Sequence, residues 1–598
     1  FLVGALREVQ GRSPGMMTLI AIAILTAYVY SIAVTLLGQG EPLFWELTTL
    51  ITVMLLGHWL EMRAVQGAQS ALKELSKLLP DTAEVVRQQA TGNRQQGETQ
   101  RIPLSELRVG DLVLVRPGGK VPADGAVVEG TSDVNEALVT GESKPVMKTV
   151  GAKVIAGTIN GDGVLRVQVA NIGEKTFLAG IMRLVAQAHA SKSKLQVLSD
   201  RAAFALTVIA LVAAGITLVS WLLARGGVAF SIERVVAVLV IACPHALGLA
   251  VPLVASISTT LAARNGLLVR QRLALEVARM IDTVLFDKTG TLTTGAFGVD
   301  TVWAFGGRDA AEVLQVAASV DAQSEHVIAK AIVGEAQKHS VSLLPVTDVT
   351  AVPGQGMRGV LGGERVAVGG LSMLAEGERI PHEHASAIAG ANTQGKSIVL
   401  VWRGGKLIGG FALGAVVREE SRTAVQRLKA LGVRVAMITG DSEEVARWVA
   451  RDLGIEEFFA RVPPQEKAAK VKLLQAQGRR VAFVGDGIND APALTQADVG
   501  IAIGAGTNVA IESAGILLVR NDPRDIVHIL TLSRATYAKM VQNLFWATGY
   551  NVIALPLAAG ILARQGILLQ PAVSALLMSI STVIVALNAV QLRRLKLV

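Results

Sequence analysis

Thr283-Val284-Leu285-Phe286-Asp287-Lys288-Thr289-Gly290-Thr291-Leu292-Thr293 decides the fold of this chain. Its first four residues read as a short buried strand, and that strand runs straight into a carboxylate. Two later stretches repeat the arrangement. Arg434–Ile438 leads into Thr439-Gly440-Asp441, and Val481–Val484 leads into Gly485-Asp486-Gly487-Ile488-Asn489-Asp490. Helical patterns follow the last two strands, and such alternation predicts a doubly wound parallel sheet. Ligands of these sheets gather at the carboxyl ends of the strands. One acidic residue there is an ordinary turn or helix cap. Three converging carboxylates repel one another unless a divalent cation sits among them. Hard oxygen ligands suit Mg²⁺, which also neutralises phosphate charge.

Working outward, the 598 residues are 51% hydrophobic and 18% charged, and the mean hydropathy is +0.47. This composition excludes a disordered or collagen-like chain and predicts a protein that lies partly in a membrane. Nearly uncharged apolar runs cover Met17–Leu37, Leu43–Leu60, Ala202–Leu223, Val235–Val254, Leu544–Ala563 and Ile567–Val590. Each is close to the ~20 residues a bilayer requires, so six spans are expected, in three pairs. Roughly residues 63–201 and 262–542 are polar and rich in Lys and Arg, which places them in the cytoplasm. The net charge of +9 therefore reports topology, and no nucleic-acid partner is expected. Phe1–Gly15 is too short to span and suits a helix on the membrane surface. The first polar region reads as β-rich, with Leu112–Val115, Ala126–Val128 and Val164–Val169 between turns. In the second, about Gly295–Gly409 interrupts the alternation and reads as an inserted domain.

The Asp287 motif resembles the phosphorylation motif of P-type ATPases. The resemblance implies that Asp287 accepts the γ-phosphoryl group of ATP, with Lys288 and Thr289 beside it. Asp287, the main chain at Thr289 and Asp486 then hold Mg²⁺. Lys467, in Pro464-Gln465-Glu466-Lys467, resembles the lysine that neutralises the transferring phosphoryl, and Thr439, Asp441, Asn489 and Asp490 complete the pocket. Thr140-Gly141-Glu142-Ser143 resembles the actuator motif, whose Glu142 directs water at the aspartyl-phosphate. Glu325, His326, Gly354, Gly356 and Gly369 resemble the nucleotide-binding residues of the heavy-metal branch. Two departures stand out: Val327 replaces the usual proline after the histidine, and Ala415 stands where an aspartate is common.

Cys243-Pro244-His245 lies mid-way along the fourth run. Proline opens a helix there, and ionisable groups inside a span are functional by default. With Asn543, Tyr550, Asn551 and Pro556 in the fifth run, and Met578-Ser579 and Asn588 in the sixth, the pattern is similar to the CopB-type, copper-exporting subgroup of heavy-metal P-type ATPases. That implies a transport site of Cys243, His245, Tyr550, Asn551, Met578 and Ser579. Met16, Glu61 and Asp200 fall where metal enters from the cytoplasm, and Glu46 is a candidate exit group. Two further spans and a His-rich tail are expected upstream of Phe1. Soft thiolate and thioether ligands favour Cu(I) or Ag(I). Cu(II) or a broader set of transition metals is the alternative.

The expected whole is a multidomain membrane protein in seven segments. Residues 1–65 form the surface helix and first transmembrane pair, and 66–200 a β-rich actuator domain. Residues 201–262 are the second pair, and 536–598 the third. Residues 263–294 and 411–535 form a doubly wound α/β haloacid dehalogenase-like (HAD-like) phosphorylation domain, into which 295–410 inserts an α+β nucleotide-binding domain. The expected partners are ATP, Mg²⁺, membrane lipid and a copper ion delivered by a soluble carrier. The chain is expected to act as a monomer in a bacterial or archaeal plasma membrane. A membrane-tethered phosphatase would need the strand-end carboxylates but not Glu142 or three polar spans. A non-enzymatic metal sensor predicts losses among Asp287, Lys467 and Asp486, and all three are present.

Overall fold

The computed structural model describes residues 1–598 apart from 12–13, 39–40, 77–78, 88–97, 137–144, 191–193, 353–354, 376–377, 505–511 and 598. Side chains are further undescribed at 60, 61, 63–76, 181, 184, 185, 188–190, 245, 296 and 488. The chain forms two compact units, Phe1–Arg279 with His528–Val598, and Met280–Val527.

In the second unit the decisive strand, Thr283–Asp287, lies between Arg434–Ile438 and Val481–Gly485 and runs parallel to both. Val499–Ile503 and Ile516–Leu518 extend the sheet on one side, and Glu457–Phe459 on the other. The strands are buried end to end, as both faces of a parallel sheet must be. Register sets where the acids emerge. Asp287 pairs with Ile438, and Phe286 with Val484, so all three carboxylate motifs leave the sheet at one edge.

The inserted region is an antiparallel sheet in the order 293–304, 406–417, 397–403, 364–370, 356–361, 346–352. Its first two strands, Thr293–Ala304 at one edge and Lys406–Val417 beside it, are continuous with the phosphorylation-motif loop and with Arg418. The expected limits of 295 and 410 therefore fall inside two strands, because paired backbone does not stop where the composition changes. Arg418 donates to the carbonyls of Gly290 and Thr293 at 3.3 and 3.2 Å. These bonds tie the returning strand to the motif loop near Ala415.

The first unit holds an antiparallel sheet in the order 98–103, 82–87, 112–115, 165–171, 124–129, 153–154, and a smaller one of 132–135 between 146–148 and 159–160. Helix Leu2–Gln10 exposes Leu2, Val3, Leu6 and Val9, the apolar stripe expected of a helix at a lipid surface. Glu8 of this helix accepts from Gly15 N and Thr18 N at 2.9 Å and from Thr18 Oγ1 at 2.7 Å. The carboxylate thereby caps the next helix, Met16–Leu37, where negative charge at the N-terminus is favourable.

Among the described residues, four helical segments are long and apolar enough to cross a membrane: Met16–Leu37, Lys194–Leu223, Val228–Arg264 and Pro571–Arg594. Two of the six expected runs are not among them. The second lies within the long helix Phe44–Ser76. The fifth is interrupted, since one helix ends at Thr548 and another starts at Asn551. The expected break in the fourth run is present: helix Val228–Ile241 stops before Cys243, and His245–Arg264 begins just after Pro244.

Candidate functional site

At the sheet edge, helix Lys467–Ala476 places its first residue against the strand ends. The buried Lys467 Nζ donates to Asp287 Oδ1 and to Asp490 Oδ1, each at 2.7 Å. Carboxylate oxygens of Asp287, Asp486 and Asp490 lie within 4.8 Å of one another. Burial and the neighbouring Asp490 push the Asp287 carboxyl up to about 7, against the pull of Lys467. Asp486 is raised by burial and then by Asp490. Burial alone would lower Lys467, but Asp287 and Asp490 lift it above its ordinary range. Three carboxylates against one ammonium leave a deficit of positive charge, and the donors are all hard oxygens, so the cluster fits Mg²⁺.

Two glycines make the cluster possible. Gly290 adopts φ +75°, and a Cβ there would lie 1.8 Å from Asp486 Oδ2. A Cβ on Gly485 would lie 2.4 Å from Asp490 Oδ2. Thr439 is buried and its Oγ1 accepts from Asp441 N at 3.1 Å. Lys288 forms an ion pair with Asp441, so its ammonium braces a neighbouring loop. Thr289 and Asn489 are exposed at the rim. Glu142 and its motif lie outside the described residues.

The inserted sheet carries a cavity of about 450 Å³ lined by Asp321, Ser324, His326, Gly356 and Gly369, among others. His326 caps helix Val327–Lys338, its Nδ1 accepting from Ile328 N at 3.3 Å. The cap starts the helix without the proline that Val327 replaces. Glu325 is not in the lining. It is fully exposed and paired with Lys330 at 2.5 Å. The carboxyl that does line the cavity is Asp321, which is buried and pushed up to about 7 by that burial. Sequence reading missed it, although an aspartate closing the apolar helix Ala310–Asp321 was the available signal. The glycines serve the backbone as well as any ligand. A Cβ on Gly356 would meet Val368 O at 2.1 Å, and one on Gly369 would meet Gln355 O at 2.4 Å. Gly354 lies outside the described residues.

In the apolar unit, Cys243 and Met578 are both buried, with Tyr550 packed in the same cluster. Cys243 Sγ lies 4.0 Å from the Met16 carbonyl oxygen. Tyr550 OH and both amide atoms of Asn551 are buried without a hydrogen-bond partner among the described residues. Buried polar atoms with no protein partner call for a water, an ion or a functional role. Ser579 Oγ is turned to its own helix, bonding Ala575 O at 2.9 Å. Gly57 lets its helix approach there, since a Cβ would come within 2.6 Å of that hydroxyl. Asn543 and Asn588 bond each other at 2.8 Å and so join helices. Met16 and Glu46 are half-buried and Asp200 is exposed. The side chains of His245 and Glu61 lie outside the described residues.

Known proteins resemble this chain over its whole length. Residues 77–186 match the family described as P-type ATPase actuator domain, and residues 281–498 match haloacid dehalogenase-like hydrolase. The copper-exporting P-type ATPase B of Archaeoglobus fulgidus is 52% identical, covering 99% of this chain and 84% of the relative. The copper-exporting P-type ATPase B of Enterococcus hirae is 41% identical, covering 99% and 79%. A solved zinc-transporting PIB-type ATPase in the E2.Pi state superimposes with a TM-score of 0.64 at 32% identity, covering 99% of this chain and 93% of that one.

Proposed function

This chain belongs to the P-type ATPases, and from that premise we propose that it exports copper, as Cu(I), from the cytoplasm at the expense of ATP. One observation carries the chemistry: Lys467 bridges Asp287 and Asp490 at the edge where three strand-end motifs meet. The choice of metal rests on the relatives' names and on the soft donors Cys243 and Met578.

In this reading ATP binds in the inserted sheet, with its base near Asp321 and His326. A carboxylate oxygen of Asp287 attacks the γ-phosphorus, the bond to the β–γ bridging oxygen breaks, and ADP leaves. Lys467 neutralises charge on the transferring group. Mg²⁺ held by Asp287, Asp486 and the Thr289 main chain would neutralise phosphate charge there. Glu142 later takes a proton from the water that cleaves the aspartyl-phosphate, releasing phosphate and restoring Asp287. Copper passes among Cys243, His245, Tyr550, Asn551, Met578 and Ser579, after meeting Met16, Glu61 and Asp200. Phosphorylation and metal binding prefer different conformations, and that linkage couples the two sites. The protein works in a lipid bilayer, receives its metal from a soluble carrier, and acts as a monomer.

Zinc transport is the second reading, favoured by the likeness to a zinc-transporting structure. ATPase activity in lipid, measured with Cu(I), Ag(I), Cu(II) and Zn(II) under controlled redox conditions, separates them. Stimulation by Cu(I) and Ag(I), lost in Asp287→Asn, is the expected result. Stimulation by Zn(II) alone would overturn the copper assignment.

A further inference from the structure

The transport-site level contains Cys243, Tyr550 and Met578. Nine residues further along each of the same three segments, toward the end away from the cytoplasm, stand Arg234, Ala559 and Leu569. These positions form a second, polar layer. Arg234 is wholly buried. Its Nη1 donates to Leu569 O at 2.7 Å, and it forms an ion pair with Glu233. Its guanidinium lies 5.3 Å from the centre of the Phe230 ring. Phe230 meets Trp221 edge-on at 4.8 Å, and Trp221 Nε1 donates to Ala559 O at 2.8 Å. The result is one unbroken chain from Leu569 through Arg234, Phe230 and Trp221 to Ala559, laid across the outward side of the metal level.

A guanidinium in this position is expensive to bury. Arg234 Nε is moreover buried without a partner among the described residues. A purely structural cross-link can use a charge-assisted bond, but it gains nothing from an idle donor. A contact that must open in each cycle does, because water reaching the layer solvates the guanidinium and offsets the broken bonds. The two carbonyls engaged, Leu569 O by Arg234 and Ala559 O by Trp221, belong to the segments that carry Met578 and Tyr550. We infer that Arg234 is the positioning residue of an outward release gate, which it holds shut by bridging Leu569 and the Phe230–Trp221 pair. This rests on the reading of Cys243 as part of the transport site.

Cys243 is the chain's single cysteine and serves as the reporter. Full-length protein is reconstituted into liposomes, and a membrane-impermeant, charged methanethiosulfonate is applied to the non-cytoplasmic face without metal or nucleotide. Modification is read at Cys243 by peptide mass spectrometry. Arg234→Met should be modified at least tenfold faster than wild type, Arg234→Lys within about threefold of it, and Trp221→Phe in between. Each variant is first assayed for phosphorylation from ATP. A phosphorylating Arg234→Met within twofold of wild type would overturn the gate. Should Arg234→Met not phosphorylate, Trp221→Phe decides by the same criterion. Loss of the copper-export reading looks different, because wild type would then form no copper-dependent phosphoenzyme.

Discussion

Lys467 Nζ stands 2.7 Å from Asp287 Oδ1, a contact that joins residues 180 positions apart. It also stands 2.7 Å from Asp490 Oδ1, so one ammonium separates two carboxylates that would otherwise repel. Replacing Lys467 with Met leaves those charges buried and unpaired, a loss of about 3–5 kcal/mol in comparable pairs. Phosphorylation from ATP should fall at least ~100-fold, the usual effect of removing a positioned electrostatic donor. Lys467→Arg should recover part of it. Radiolabelled phosphoenzyme formation checks both.

The same contact gives phosphorylation a pH dependence. Asp287 is pushed up to about 7, and only its ionised form is a nucleophile. The rate should therefore rise as pH increases through about 7 and level off above it. Lys467 is the group that lowers Asp287, so Lys467→Met should move the residual profile to higher pH. Single-turnover phosphorylation between pH 5.5 and 8.5 measures this, and a flat wild-type profile would contradict it.

Gly290→Ala tests the cation site. Its φ of +75° is strained for alanine by about 1–2 kcal/mol, and the new Cβ would press on Asp486 Oδ2 from 1.8 Å. The Mg²⁺ concentration for half-maximal phosphorylation should rise at least ~10-fold while the protein remains folded. Circular dichroism alongside a Mg²⁺ titration distinguishes the two effects.

The inserted domain offers a direct contrast between neighbouring acids. Asp321→Ala removes a buried carboxyl from the cavity wall and should raise the KM for ATP about tenfold, the worth of one buried hydrogen-bonding group. Glu325→Ala removes an exposed side chain paired only with Lys330, and such pairs contribute little. Its KM should stay within about twofold. Equal effects of the two substitutions would refute the placement.

At the transport level, Asn551→Leu deletes two orphaned polar atoms. The copper concentration for half-maximal ATPase activity should rise by ~10-fold or more, while phosphorylation from inorganic phosphate persists. Loss of both activities would mean that Asn551 serves the fold.

Much of this was legible in the residues themselves. The three strand-end motifs, the buried parallel strands and the break at Cys243-Pro244 follow from signals spanning only a few neighbours. Periodicity, a proline and a carboxylate after an apolar run are local properties. The same locality limits what the residues say about placement. Glu325 sits beside His326 in a motif, yet the turn of the chain there faces it to solvent while Asp321 lines the cavity. The fifth apolar run looks continuous by hydropathy, but its helix is broken between Thr548 and Asn551.

The sequence by itself determined which chemical groups this protein owns: a strand-end aspartate, its acidic companions, one thiol, and the apolar run that holds that thiol. Tertiary structure alone decided which of them meet. The parallel register of Asp287 with Ile438 brings distant carboxylates to one edge, and helix Lys467–Ala476 supplies the ammonium between them. It also buries Arg234 against the carbonyl of Leu569, a pairing that no local pattern announces. Charges act through space, and the distances that set their strength exist only once the chain has folded.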